Sequence, residues 1–203
     1  MPIYQAVVLG IVQGLTEIFP ISSSGHLILI PKILGWETHP LSFDAALHLG
    51  TALALLVFFG KDWIALFVSR SYRMILVVFL ASVPVGLAGL LGSDFIEGNL
   101  RDPRGVVLAL IGVAILMLLV EGFYRKLGER HQQLRLGDAV AIGISQGLAL
   151  FPGVSRSGIT IVTGMGRGLE REKAARFSFL ISLPIVLAAG LWELFKVYRN
   201  GLL

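Results

Sequence analysis

The sequence predicts an all-α polytopic membrane protein, an inverted-topology repeat with two re-entrant broken-helix segments and about four full spans. Three observations carry this. Hydrophobic residues make up 55% of the 203 residues and charged residues only 15%, against about 25% charged in a soluble domain. Four stretches, roughly 45–59, 74–91, 105–120 and 177–194, are apolar and, with their flanks, long enough to cross a bilayer. Two polar motifs recur in the same order 133 residues apart.

Mean hydropathy is +0.81, so polar surface is too scarce to cover a water-exposed globule. The chain has no cysteine, which excludes a disulfide-stapled secreted fold. Disorder and collagen-like repeats are excluded by the same composition. A net charge of +4 would suggest nucleic acid in a soluble protein. Here the excess of Lys and Arg in cytoplasmic loops explains it, and no nucleic-acid partner is expected.

Each element follows in order. Residues 1–34 and 139–168 are apolar but broken near their middles by Pro, Gly and Ser. Each half is too short for a comfortable span, so they read as re-entrant pairs, with two kinked full spans as the alternative. The N-terminus lacks a basic region and carries Gln13, Glu17 and His26, unlike a signal peptide. Loops 61–73 and 124–138 carry the basic excess and are placed in the cytoplasm, with 93–104 outside. Lys196 and Arg199 then fall outside, against the trend. Glu121 and Glu193 sit at span ends and are expected to be solvated.

The repeat pairs Gly10-Ile-Val-Gln-Gly-Leu15 with Gly143-Ile-Ser-Gln-Gly-Leu148. It pairs Phe19-Pro20 with Phe151-Pro152, and Ser22, Ser24 and Gly25 with Ser155, Ser157 and Gly158. Chance similarity between Gly- and Leu-rich segments is the alternative. Within a single membrane domain, 1–203, the first copy covers 1–122 and an incomplete second copy covers 137–203. Three full spans separate the broken segments. An odd number reverses direction, which predicts a site at mid-membrane where the breaks meet. The copies differ where chemistry needs it: Glu17 and His26 face apolar positions in the second copy, and Arg156 replaces Ser23.

Gln13 and Glu17 lie four apart, one turn along a helix face. An acid within an apolar helix costs about 2.5–3.5 kcal/mol to insert and is a functional candidate, with snorkelling to a helix end as the alternative. Ser22, Ser23 and Ser24 with Gly25 follow Pro20 and offer an anion cradle at a helix break. His26, close by, is a candidate base or nucleophile. Arg156, among Ser155, Ser157 and Thr160, is costly without an anionic partner. Its planar fork suits phosphate oxygens. A structural pair with Glu17 is the alternative. His48 reads as pocket lining or a buried hydrogen-bonded residue.

These residues carry a resemblance. Gln13-Gly-Leu-Thr-Glu17-Ile-Phe-Pro-Ile-Ser-Ser-Ser-Gly-His26, with Pro152-Gly-Val-Ser-Arg156-Ser-Gly-Ile-Thr160, resembles the undecaprenyl-diphosphate phosphatases linked to bacitracin resistance. The likeness runs through essentially the whole chain. It implies an enzyme of the bacterial inner membrane, with its site facing the periplasm, that converts undecaprenyl diphosphate to undecaprenyl phosphate for cell-wall synthesis. It further implies catalytic Glu17, Ser23, His26 and Arg156. Gln13, Ser22, Ser24, Ser155, Ser157 and Thr160 would then hold the diphosphate. Glu17 and Gln13 would hold a divalent ion, Mg²⁺ or Ca²⁺. Membrane lipid surrounds the expected site, and a homodimer is one expected assembly.

The sequence leaves His26, Ser23 and water open as nucleophile. The rival function is a polyprenyl-phosphate carrier that uses the same inverted-repeat site without hydrolysis; a scaffold without activity is a third. Family members usually continue through two more spans, so the chain reads as a fragment or a shortened member. Residues 197–203 read as a connection toward a further span.

Overall fold

The computed structural model describes residues 1–68, 72–128 and 133–199. Arg70, Glu129 and Arg130 of the expected loops, and the end of the expected connection from residue 200 on, lie outside them. The described residues are helical with no strand: α1 Ile3–Ile18, α2 Ser23–Ile33, α3 Leu41–Val68, α4 Tyr72–Leu91, α5 Ser93–Asn99, α6 Pro103–Leu127, α7 Leu136–Ser145, α8 Arg156–Gly166 and α9 Arg171–Arg199. A 3₁₀ turn, Gln146–Leu150, follows α7. Four helices, α3, α4, α6 and α9, are long and apolar enough to cross a membrane, and they contain the four expected spans. The chain is a multi-pass membrane protein.

The two broken segments behave as short pairs. The 16 residues of α1 reach only about 24 Å, less than a hydrocarbon core of about 30 Å. α1 packs against α2, and α7 packs against α8. The second segment starts at Leu136, not at 139, because the Arg135 N–H donates to Asp138 Oδ2 at 3.1 Å and fixes the helix start.

Long α9 is the central element, packed on α3, α4 and α8. Lipid tails give no hydrophobic drive between helices, so close approach and polar bonds hold the bundle. Gly190 of α9 illustrates the first: a Cβ there would lie 2.4 Å from the Leu49 side chain of α3. For the second, Ser82 Oγ of α4 donates to the Ile181 carbonyl at 3.1 Å, and Gln146 Nε2 donates to the Ala81 carbonyl at 2.8 Å. Two apolar clusters complete the centre: Val77, Val78, Ala139, Ile142 and Phe177 among others, and Ala52, Leu55, Phe59, Leu183 and Val186. Large apolar side chains such as Val57, Phe58, Leu108 and Leu118 cover the outer faces, as lipid contact requires.

Charge marks the two ends. Arg176 pairs with Asp62, Arg171 with Glu121 at 2.7 Å, and Arg167 with Asp138 at 3.1 Å. Those pairs gather residues of the basic loops and of 167–176 at one end. At the other, Lys196 lies 3.1 Å from both Asp94 and Glu193, so its charge is locally matched. Glu193 departs from expectation: it is buried, with about 9% exposure, because α9 runs on past the expected span end and carries it into the bundle.

Candidate functional site

The two helix breaks touch each other. Ser22 caps α2 by accepting from the Gly25 N–H at 3.2 Å, and Ser155 caps α8 by accepting from the Gly158 N–H at 3.0 Å. In both loops the next-but-one serine lies 3.3 Å from the cap. The Gly153 N–H donates to Ser24 Oγ at 3.4 Å across the junction. Gly153 has φ +97°, and a Cβ there would lie 2.5 Å from the Val106 carbonyl oxygen, so only glycine lets this turn close on α6. Ser22 has φ 68° without being glycine, a strained conformation costing about 1–3 kcal/mol that collects at functional loops. Both helices present first-turn N–H groups and positive dipole ends at the junction.

Glu17 is the hub. Arg156 Nη2 donates to its Oε1. Ser23 Oγ donates to Oε2 at 2.6 Å, and Gln13 Nε2 donates to the same oxygen at 3.2 Å. His48 Nε2 lies 3.6 Å from Oε2 and 3.5 Å from Ser23 Oγ. Glu17 and Gln13 are both buried. The carboxylate bears its burial because a guanidinium and three further polar groups surround it, and removing one partner of such a pair typically costs about 3–5 kcal/mol.

His48 is oriented from behind. Its Nδ1 lies 2.7 Å from the Asp44 carbonyl oxygen, which can only accept. Nδ1 therefore carries the proton, and in the neutral ring Nε2 turns its lone pair toward Ser23. His26 makes the same kind of bond, Nδ1 to the Ser22 carbonyl oxygen at 2.7 Å.

A cavity of about 270 Å³ opens beside the hub, lined by polar residues including Glu17, Ser23, His48 and Arg156 and by apolar ones such as Ile28, Val186 and Trp192. Arg156 lines it, and its Nη1 is buried without a hydrogen-bond partner among the described residues. A guanidinium that lines a mostly apolar cavity and has a donor to spare is a binding element for an anion.

Of the residues singled out from sequence, Glu17, Ser22, Ser23, Ser24, His48, Ser155, Arg156 and Ser157 line this cavity. Gln13 lies behind Glu17 and leaves its own Oε1 buried without a partner. Thr160 is wholly buried, bonded to Ser178 Oγ at 2.6 Å and to the Arg156 carbonyl oxygen at 2.8 Å. It braces the turn that carries Arg156 and does not line the cavity. His26 does not line it either. The Arg–Glu pair weighed as a structural alternative is present, within the same cavity.

Sequence reasoning passed over three residues. Asp44, in the first turn of α3, binds His39 Nε2 at 2.6 Å through one carboxylate oxygen and Arg101 Nη1 at 2.8 Å through the other. Asp44 and Arg101 line the cavity. Arg101 was read only as a loop charge. The available signal was Asp44 four residues before His48, one turn apart on the same helix face.

A family model described as bacitracin resistance protein BacA matches residues 6–202. An undecaprenyl-diphosphatase of Thermodesulfovibrio yellowstonii is 45% identical over 201 residues, covering 98% of this chain and 77% of that relative. Proteins of the same name from Desulforudis audaxviator and Rubrobacter xylanophilus are also 45% identical, over 205 and 217 residues, with 77% and 79% of each covered. With both motifs in place and the match running almost end to end, the chain belongs to the bacitracin resistance protein BacA family.

Proposed function

We infer that the chain is a membrane phosphatase that hydrolyses undecaprenyl diphosphate to undecaprenyl phosphate and inorganic phosphate. The observation that carries this is the hydrogen-bonded cluster of Glu17, Ser23 and Arg156 lining one cavity, with a guanidinium nitrogen unmatched among the described residues. The names of the relatives agree. The apolar part of the lining suits the first isoprene units, and the rest of the tail leaves sideways into lipid. The site faces the periplasm of the bacterial inner membrane in this reading, which the loop charges support.

Phosphoryl transfer asks for alignment and charge neutralisation more than for elaborate covalent chemistry. Arg156 moves from Glu17 onto the terminal phosphate. Ser23 Oγ attacks that phosphorus as its proton passes to the Glu17–His48 pair. The bridging P–O bond breaks, and undecaprenyl phosphate leaves. Water then attacks the phosphoserine, inorganic phosphate is released, and the proton returns to Ser23 Oγ. Gln13 keeps Glu17 in place throughout.

The residues fit a divalent ion only together with substrate. Among the described residues no group of three or more His, Cys, Asp or Glu could hold a metal. Glu17 would supply a carboxylate oxygen, with Gln13 Oε1, unpartnered among the described residues, as the other protein oxygen at hand, and Mg²⁺ commonly takes one or two carboxylates with phosphate oxygens completing its shell. Mg²⁺ or Ca²⁺ held there would neutralise diphosphate charge. Exhaustive chelation is expected to lower phosphate release at least about tenfold, with Mg²⁺ restoring it; full activity after chelation would remove the metal from the proposal.

His48 lines the cavity beside Ser23 and His26 is not among its lining residues, which supports His48 as the imidazole of the mechanism. His48→Ala is expected to lower kcat about 100-fold, the lower end of general acid–base contributions, with exogenous imidazole restoring part of the loss. His26→Ala is expected to retain most of kcat. The reverse ranking in a phosphate-release assay would return the role to His26. The function itself is tested by phosphate release from undecaprenyl diphosphate by the detergent-purified protein.

A further inference from the structure

The cavity wall holds two arginines, and both are parked on carboxylates. Arg156 lies on Glu17, and Arg101, from the connection between α5 and α6, lies on Asp44 at 2.8 Å. They are the only Lys or Arg among the described residues lining it. In each pair the carboxylate has other donors. Glu17 keeps Ser23 and Gln13 if Arg156 leaves. Asp44 keeps His39 Nε2 at 2.6 Å if Arg101 leaves. This matters because a buried carboxylate stripped of every donor would cost several kcal/mol. Both arginines are therefore able to move onto a bound anion without orphaning the acid they rest on. Arg101 commits one of its five N–H donors to Asp44, and its side chain is about 19% exposed, so the remainder of the fork is available to the cavity.

We propose that Arg101 forms a second phosphate subsite, for the phosphate that stays on the lipid, while Arg156 takes the terminal phosphate beside Ser23. This rests on the phosphatase reading and deepens it. A diphosphate lipid engages both arginines, and after cleavage each product keeps one. Arg101 holds the lipid phosphate and steadies the charge that grows on its bridging oxygen as the bond breaks. Arg156 holds the inorganic phosphate. Splitting the two contacts weakens each product relative to the substrate, which favours release.

Lipid phosphate and free phosphate share this chemistry, and binding measurements separate them. Wild type, Arg101→Gln, Arg101→Lys and Asp44→Asn are purified in detergent. The KM for undecaprenyl diphosphate is measured together with the Kd for undecaprenyl phosphate and for inorganic phosphate. Arg101→Gln is expected to raise the KM and the lipid-phosphate Kd about tenfold each, as for loss of a charge-assisted bond, with the inorganic-phosphate Kd within about twofold. Arg101→Lys is expected to fall between. Asp44→Asn breaks the same ion pair but frees Arg101, so it is expected to tighten lipid-phosphate binding.

A role limited to tethering the loop would move Arg101→Gln and Asp44→Asn in the same direction, which would overturn the proposal. So would an unchanged lipid-phosphate Kd in Arg101→Gln, or equal weakening of lipid and inorganic phosphate. Weakening of inorganic phosphate alone would mark a free-phosphate site and would also overturn it. The Kd measurements do not need turnover. A wild type that binds the lipid phosphate through Arg101 without releasing phosphate from the diphosphate would therefore sink the phosphatase reading and spare this one.

Discussion

Arg156→Ala is expected to lower kcat/KM for undecaprenyl diphosphate by about 10³-fold, measured as phosphate release by purified protein. An arginine that neutralises a transferring phosphoryl group contributes about 10³–10⁵ in other phosphoryl-transfer enzymes, and the lower end suits a site with other donors nearby. Arg156 is placed for that work by α8, whose cap at Ser155 and whose brace at Thr160 fix the turn that carries it. Its Nη1 has no hydrogen-bond partner among the described residues, and in the proposed mechanism phosphate takes the place of its contact with Glu17. Arg156→Lys keeps the charge but loses the planar fork, and is expected to recover only part of the loss. The fold should survive both changes, because Glu17 retains Ser23 and Gln13 as donors. A melting temperature lowered by the lost ion pair yet still well above the assay temperature, beside the lost activity, would separate chemistry from stability.

Ser23→Ala is expected to abolish phosphate release to about the same extent or more, since in the proposed mechanism it removes the hydroxyl that attacks phosphorus. Ser22 and Ser24 supply the comparison. Ser22 caps α2, so Ser22→Ala is expected to cost about 1 kcal/mol of stability while leaving substantial activity. Ser24 accepts from Gly153 and contacts no carboxylate, so Ser24→Ala is expected to affect activity much less than Ser23→Ala. Equal losses from all three serines would point to a general anion cradle and away from a single nucleophile.

Much of the fold was legible because its determinants are long-range in composition but local in sequence. The four spans announce themselves by length and hydropathy. Pro20, Gly25, Pro152 and Gly153 announce the breaks, because an interrupted helix within a membrane must be buried in protein or line a cavity. Glu17 and Arg156 were legible for the same energetic reason, since neither is tolerated in an apolar setting without a partner. The rest needed the third dimension. His48 lies 31 residues beyond Glu17 in sequence, and nothing local says that its Nε2 meets Ser23 while the nearer His26 is not among the residues that line the cavity. Thr160 sits within the second motif and reads as a ligand, yet one helical turn carries it behind Arg156 and into the α8–α9 contact. Arg101 and Asp44 come from a loop and a helix end 57 residues apart. A charge at a span end looks solvated until the tertiary packing folds it inward, as it also does with Glu193.

Phosphate release from undecaprenyl diphosphate by purified protein, with wild type, Glu17→Ala, Ser23→Ala and Arg156→Ala side by side, tests the central claim most directly. Wild type is expected to turn over and release phosphate in amounts far above the protein concentration. The three variants, monodisperse and folded, are expected to retain about 10⁻³ of that rate or less. A wild type that binds the lipid without cleaving it, or variants that cleave it at the wild-type rate, would contradict the account.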